Sequence, residues 1–220
     1  SASWTVLLAG ADRGLVDGVR ILNPLRAANT DGIDPDCCRN LTIRNCTIET
    51  GDDGVVVKTT PARAAKYGPS ENIWVSNCVV KSTSSALKVG TETAADIRNV
   101  HFSHCRTCDS SHALAVYARD GGTVENVTFD DIVGTARRFT DAPRHRLGFK
   151  WWGSGEGIFV TAANRRGKTG EACGKIRNVS FRNCDLTCES SATVVGRTNS
   201  VIENVEIENC RLHFVRQGSA

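Results

Sequence analysis

The 220-residue chain is 40% hydrophobic and 23% charged, the balance of an ordinary globular protein with one substantial core rather than of a disordered one. A net charge of +3 excludes a broad basic face for nucleic acid, and no apolar run reaches the roughly 20 residues that cross a bilayer. The opening SASWTVLLAG has no charged segment ahead of its apolar residues and does not read as a signal peptide.

An eight-residue pattern organises the chain. A weak first copy, VDGVRILN (16–23), is followed by RNLTIRNC (39–46), ENIWVSNC (71–78), RNVHFSHC (98–105), ENVTFDDI (125–132), RNVSFRNC (177–184) and ENVEIENC (203–210). Apolar and polar residues alternate within each copy, the period of a strand with one buried face. Counted from the second residue, the steps are 23, 32, 27, 27, 52 and 26. The step of 52 predicts either a degenerate copy or an insertion around 134–155. Such steps hold one or two more short strands and no long crossover helix. The expectation is therefore all-β: a parallel β-helix of stacked coils, one domain over 1–220, with a long loop at about 134–155.

Cys46, Cys78, Cys105, Cys184 and Cys210 close their copies, and Ile132 takes that place in ENVTFDDI. A column where Cys and Ile interchange predicts an inward stack of small hydrophobes rather than disulfides. Cys37, Cys38, Cys108, Cys173 and Cys188 lie off the column, and no zinc-type pair of cysteines recurs.

A second strand follows each copy: DGIDPD from Asp31, DGVVVK from Asp53, SALKVG from Ser85, HALAVY from His112, EGIFVT from Glu156 and SATVVG from Ser191. Its second residue is always Gly or Ala, which predicts a tight bend. This alignment places Asp31, Asp53, Ser85, His112 and Glu156 in one column, coils being about 4.8 Å apart. Asp52 stands beside Asp53, while Asp34 and Asp36 fall at outward positions that shape the cleft or its rim. Three carboxylates in two adjacent coils repel one another, which raises at least one proton affinity and fits a site needing both an acid and a base. Hydrolysis of a sugar bond with inversion uses such a pair at roughly 6.5–9.5 Å.

The motifs NTDGID and GDDGVVVK, with Asp52 following Asp31 by 21 positions inside these coils, resemble glycoside hydrolase family 28, the polygalacturonase-like right-handed parallel β-helices. The likeness runs from about Trp4 to the C-terminus. It implies Asp52 as general acid, with Asp31 and Asp53 holding and activating water, and inverting hydrolysis of O-glycosidic bonds in a pectin-like or other acidic plant polysaccharide. No cofactor or metal is implied, the partner is the carbohydrate rather than nucleic acid or membrane, and the substrate class places the protein outside the cytoplasm, secreted or periplasmic. Further N-terminal coils are usual in the family, which implies that the chain is the C-terminal segment of a longer enzyme.

Two departures stand out. The family's Gly-His-Gly is matched by Ser84, Ser85 and Ala86, and its Arg-Ile-Lys, which grips the galacturonate carboxylate, by Ala115, Val116 and Tyr117. Lys58, Lys88, His112 and Tyr117 are the substitute candidates for substrate contact, against a plain reading as solvated strand residues. From 136 to 150, ARRFTDAPRHRLGFK carries six basic residues, His145 included, and one acid, a pattern of either an anion-binding or a solvated loop. Next to it, Trp151 and Trp152 offer an aromatic face for a sugar ring or pins for the loop, and Glu156 a ligand for sugar hydroxyls. The rival readings are a polysaccharide lyase on the same scaffold and a non-catalytic carbohydrate-binding β-helix.

Overall fold

The structure, a computed structural model, describes residues 3–139, 153–164, 173–197 and 199–216. Within them the chain winds as a parallel β-helix of three seven-stranded sheets, each coil adding one strand to each sheet. The first sheet carries the acidic motifs and comprises Val6–Ala9, Ile33–Asp36, Val55–Thr59, Ser85–Thr93, His112–Ala118, Glu156–Ala162 and Thr193–Gly196.

The eight-residue repeat builds the second sheet in the register that the sequence predicts. Arg39 pairs with Glu71, Glu71 with Arg98, Arg98 with Glu125, Glu125 with Arg177 and Arg177 with Glu203. Alternate residues point inward, so Leu41, Ile43, Ile73, Val75, Val100, Phe102, Val127, Phe129, Val179 and Phe181 are buried. Phe102, Phe129 and Phe181 stack down the axis with ring centres 4.7 and 5.1 Å apart. Phe129→Ala is expected to cost ~3–5 kcal/mol, because the neighbouring rings are held by their own coils and cannot close the cavity. A fall in the denaturant midpoint would measure it.

The asparagine at the second place of the repeat has a backbone cause that periodicity does not express. Asn40, Asn72, Asn99, Asn126, Asn178 and Asn204 all adopt left-handed φ values of 51–57°, which Asn tolerates better than most residues. Their amides form a ladder: Asn40 donates to Asp12 Oδ1 at 2.8 Å, and each of the other five to the Asn Oδ1 of the coil before it at 3.0–3.1 Å. A second left-handed corner, φ 51–55°, falls at Asn45, Asn77, His104, Asp131, Asn183 and Asn209. This turn brings the next residue inward, and that residue is the column cysteine. Each of the five thiols donates to the carbonyl two residues back at 3.1–3.3 Å, and all ten cysteines are free. The column is the inward stack expected.

Two expectations about the coils are corrected or resolved. VDGVRILN is not the first copy: Asp12 pairs with Arg39 and Asp17 with Arg44, so the equivalent segment is 12–19. There Arg13 (φ 58°) and Gly18 (φ 69°) take the two left-handed places, and the missing Asn and Cys hide the match. The step of 52 contains no degenerate copy, because Glu125 pairs directly with Arg177, and the extra length is insertion. The step of 32 holds a short helix, Pro61–Tyr67, opened by a proline whose missing N–H costs nothing in a first turn.

Candidate active site

NTDGID and GDDG are successive turns leading into the first sheet. The Thr30 hydroxyl donates to the Ala27 carbonyl at 2.7 Å and accepts from the Gly51 N–H at 3.1 Å, tying one acidic turn to the next. Asn29 is left-handed at φ 55°, and its N–H donates to Asp52 Oδ2 at 3.0 Å. Ile33 pairs with Val55, Val55 with Leu87, Ser85 with His112 and His112 with Glu156. Asp31, Asp53, Ser85, His112 and Glu156 therefore form the expected column.

The next coil departs from it: Glu156 bridges Ser190, not Ser191. The run SATVV carries apolar residues at both parities, so alternation alone does not set its register. The small second residue also has a different cause from the bend expected. A Cβ on Gly32 would lie 2.5 Å from the Gly54 carbonyl oxygen, and one on Gly54 would lie 2.5 Å from that of Ala86. Coil-to-coil crowding excludes larger side chains there.

The structure brings Asp31, Asp52 and Asp53 together, with one oxygen of each lying within 4.8 Å of the others. This is tighter than the roughly 6.5–9.5 Å expected for an inverting pair. Three oxygens at this spacing could also hold a cation, in competition with the two lysines that already face the cluster. Lys88 Nζ lies 2.6 Å from Asp53 Oδ2, and Lys58 Nζ lies 2.7 Å from Asp34 Oδ1 and 3.3 Å from Asp31 Oδ2.

These neighbours divide the carboxyls by proton affinity. Burial alone would raise Asp53, but the charges of Lys88 and Lys58 and the hydrogen bonds from Lys88 and Ser84 prevail, holding it below the ordinary carboxylate range. Asp31 is pushed up to about 9 by burial and by the charges of Asp53 and Asp34, against the pull of Lys58. Burial and the Asp53 charge raise Asp52. Asp34 reaches only about 6, because Lys58 offsets much of its burial. The cluster thus keeps Asp53 ionised while Asp31 and Asp52 favour their protons. Asp31 Oδ1 is buried with no hydrogen-bond partner among the described residues.

Lys58 and Lys88 are 2% and 7% exposed, and both ammonium groups are turned onto carboxylates. Ser84 Oγ and the Ser85 N–H donate to Asp53 Oδ1 at 2.9 and 3.2 Å, so the residues in place of the family's Gly-His-Gly support the anion directly. His112 joins Ser85 Oγ through Nδ1 at 3.3 Å and faces Glu156 Oε2 through Nε2 at 3.5 Å. Burial and the Lys88 charge lower its pKa to about 3, so its imidazole is neutral. Tyr117 packs on Phe159 at 5.4 Å and edge-on to His112 at 6.2 Å. Trp151 and Trp152 lie outside the described residues.

Asp34 and Asp36 are not rim groups, since both are fully buried. They project outward from the sheet but are covered, Asp34 by Lys58 beneath the Trp4 ring, and Asp36 by Thr60 and Arg63 at 2.7–3.0 Å. Sequence reasoning missed Trp4, whose ring centre lies 3.9 Å from Lys58 Nζ, and Ser84. No periodicity marks either residue. Asp34 stands three residues after Asp31 and Lys58 five after Asp53, so they share the outward parity one place apart, and that parity was the available signal for their pairing.

A family model, glycosyl hydrolases family 28, matches residues 4–136. The chain belongs to this family. Relatives include a probable polygalacturonase of Vitis vinifera, 37% identical over 103 residues, covering 46% of this chain and 21% of that protein. An endo-polygalacturonase of Pectobacterium parmentieri is 28% identical over 135 residues, covering 60% and 32%. Among solved structures, an exopolygalacturonase from Thermotoga maritima superimposes with a TM-score of 0.63 at 22% identity, over 96% of this chain and 49% of that one. A polygalacturonase from Erwinia carotovora gives 0.59 at 18%, over 98% and 53%. These likenesses show the fold, a right-handed parallel β-helix, as the handedness rule for parallel crossovers also requires. The chain spans a fifth to a third of the two relatives' lengths and about half of each structure. Within family 28, its described cluster is a carboxyl triad supported by two lysines and two serines.

Proposed function

We propose that this chain carries the active centre of a glycosidase that hydrolyses O-glycosidic bonds in a pectin-type polysaccharide. The observation that carries the reading is the division of proton affinity within one triad: Asp53 held ionised by Lys88 and Ser84, Asp52 favouring its proton. An acid and a base side by side are what glycoside hydrolysis requires. Asp52 protonates the leaving oxygen, and Asp53 deprotonates a water that Asp31 helps to position, giving inversion. The polygalacturonase relatives support a pectic substrate. Such a polymer is met outside the cell or in a periplasm, and among the described residues no helix is long and apolar enough to cross a membrane.

A second reading, retention through a glycosyl-enzyme intermediate, is favoured by one observation: the oxygens within 4.8 Å of one another are closer to the about 5–5.5 Å of retaining pairs. Proton NMR of the full-length enzyme on oligogalacturonate separates the two by the anomer formed first. Inversion of the starting anomeric configuration is expected. An unsaturated, ultraviolet-absorbing product would establish a lyase instead, and turnover of no pectic oligosaccharide would leave the carbohydrate-binding reading.

A further inference from the structure

The cations facing the triad are already engaged. Lys58 is held by Asp31, Asp34 and Glu92, Lys88 by Asp53 and Arg63 by Asp36. Arg119 differs from all three. It follows the strand His112–Ala118 at the outward parity of Tyr117, the inward residues Leu114, Val116 and Ala118 lying in the core. Its guanidinium carbon is 5.4 Å from the Tyr117 ring centre, and Lys88 Nζ approaches the same ring at 4.9 Å. Arg119 Nε is buried with no hydrogen-bond partner, and no ion pair to this side chain forms among the described residues.

A buried guanidinium donor left unpaired is costly, and its planar fork matches a carboxylate with two parallel hydrogen bonds. The tyrosine beneath it is rigidly placed. Gly90 comes so close that a Cβ there would stand 2.5 Å from the Tyr117 carbonyl oxygen, and Phe159 and His112 hold the ring from the other coil and its own. Arg119 is thus a part-exposed cation with no carboxylate partner among the described residues, on the triad's side of the sheet and one aromatic ring away from the lysine that touches Asp53.

We propose that Arg119 receives the carboxylate of a uronate unit of the bound polysaccharide and is the residue that selects acidic over neutral chains. The inference rests on the glycosidase reading for the identity of the polymer. It assigns the anion-gripping task to a residue outside the Ala115, Val116 and Tyr117 positions where the sequence resemblance looked for it.

The test compares wild type, Arg119→Gln and Arg119→Lys of the full-length enzyme on oligogalacturonate and on its carboxyl-reduced, neutral counterpart. Loss of one charge-assisted pair is expected to raise KM for the acidic substrate by about tenfold or more, with kcat changed by less than about twofold and the neutral substrate unaffected. Arg119→Lys should recover part of the loss. Equal losses on both substrates, or none on either, would overturn the proposal. Calorimetric binding of the same two sugars keeps it separate from the glycosidase reading. Arg119-dependent preference for the acidic sugar without turnover sinks the hydrolase and spares the anion site, turnover with an unchanged preference does the reverse, and binding of neither sugar removes both.

Discussion

Asp52→Asn is expected to lower turnover on oligogalacturonate by about 10²–10⁴-fold, the usual worth of a positioned general acid, with binding largely retained. The amide cannot release a proton to a leaving oxygen, yet it keeps the carboxyl's shape. Both Asp52 oxygens accept backbone N–H groups, Oδ2 from Asn29 and Oδ1 from Asp53, each at 3.0 Å. An asparagine must turn its NH2 toward one of these donors, so a modest loss of stability accompanies the change and is measured alongside it. The wild-type pH profile follows from the same geometry. Falling pH protonates Asp53, whose affinity Lys88 and Lys58 hold low, so the acid limb lies below the usual carboxylate range. Rising pH removes the proton of Asp52, which burial and Asp53 hold on, so the alkaline limb is displaced upward. The variant's residual activity should lose that alkaline limb. Near-normal turnover would remove Asp52 as the acid.

Lys58→Met should destabilise the fold by about 1–1.5 kcal/mol more at pH 7 than at pH 5, since taking one partner from a buried pair leaves an uncompensated charge whose cost grows by at most about 1.4 kcal/mol per pH unit. The charge stranded is that of Asp34, fully buried and 2.7 Å from the ammonium. The penalty should shrink in acid. In the wild type Asp34 has a pKa of about 6, against an ordinary 3.8. The folded state therefore holds this proton more tightly than the unfolded state, and the group's contribution to stability falls as pH rises through that window. Removing the lysine widens the window further, so variant and wild type should converge below about pH 6 and diverge above it. Denaturant midpoints at pH 5 and pH 7 test this. A gap independent of pH would mean that Lys58 stabilises through its packing under Trp4 and not through its charge.

Much of the architecture was legible because a solenoid writes its geometry as a period. Each coil repeats the same inward positions, so Leu41, Ile73, Val100, Val127 and Val179 announce one buried column, and the cysteines another. The column from Asp31 to Glu156 follows from the same regularity. Legibility failed where a coil kept the backbone shape but changed its residues. At 12–19, Arg13 and Gly18 occupy left-handed corners elsewhere filled by Asn, His or Asp, and a pattern of residue types cannot see a conserved φ. It failed again at the last strand of the site sheet, where apolar residues of both parities left the register open between Ser190 and Ser191.

The sequence by itself determined the coil, its direction of stacking and the three aspartates that meet, because these depend on alternation and on spacing along the chain. Only the tertiary structure decided how the charges are shared. Asp34 and Lys58 read as outward strand residues, but a covering Trp4 buries them as a pair. Lys88 reaches along the outer face of the sheet to Asp53, and Arg119 Nε is left without a partner. Proton affinity and pairing depend on distances between side chains of neighbouring coils and on what covers them from solvent, and neither is encoded in the order of residues along one strand.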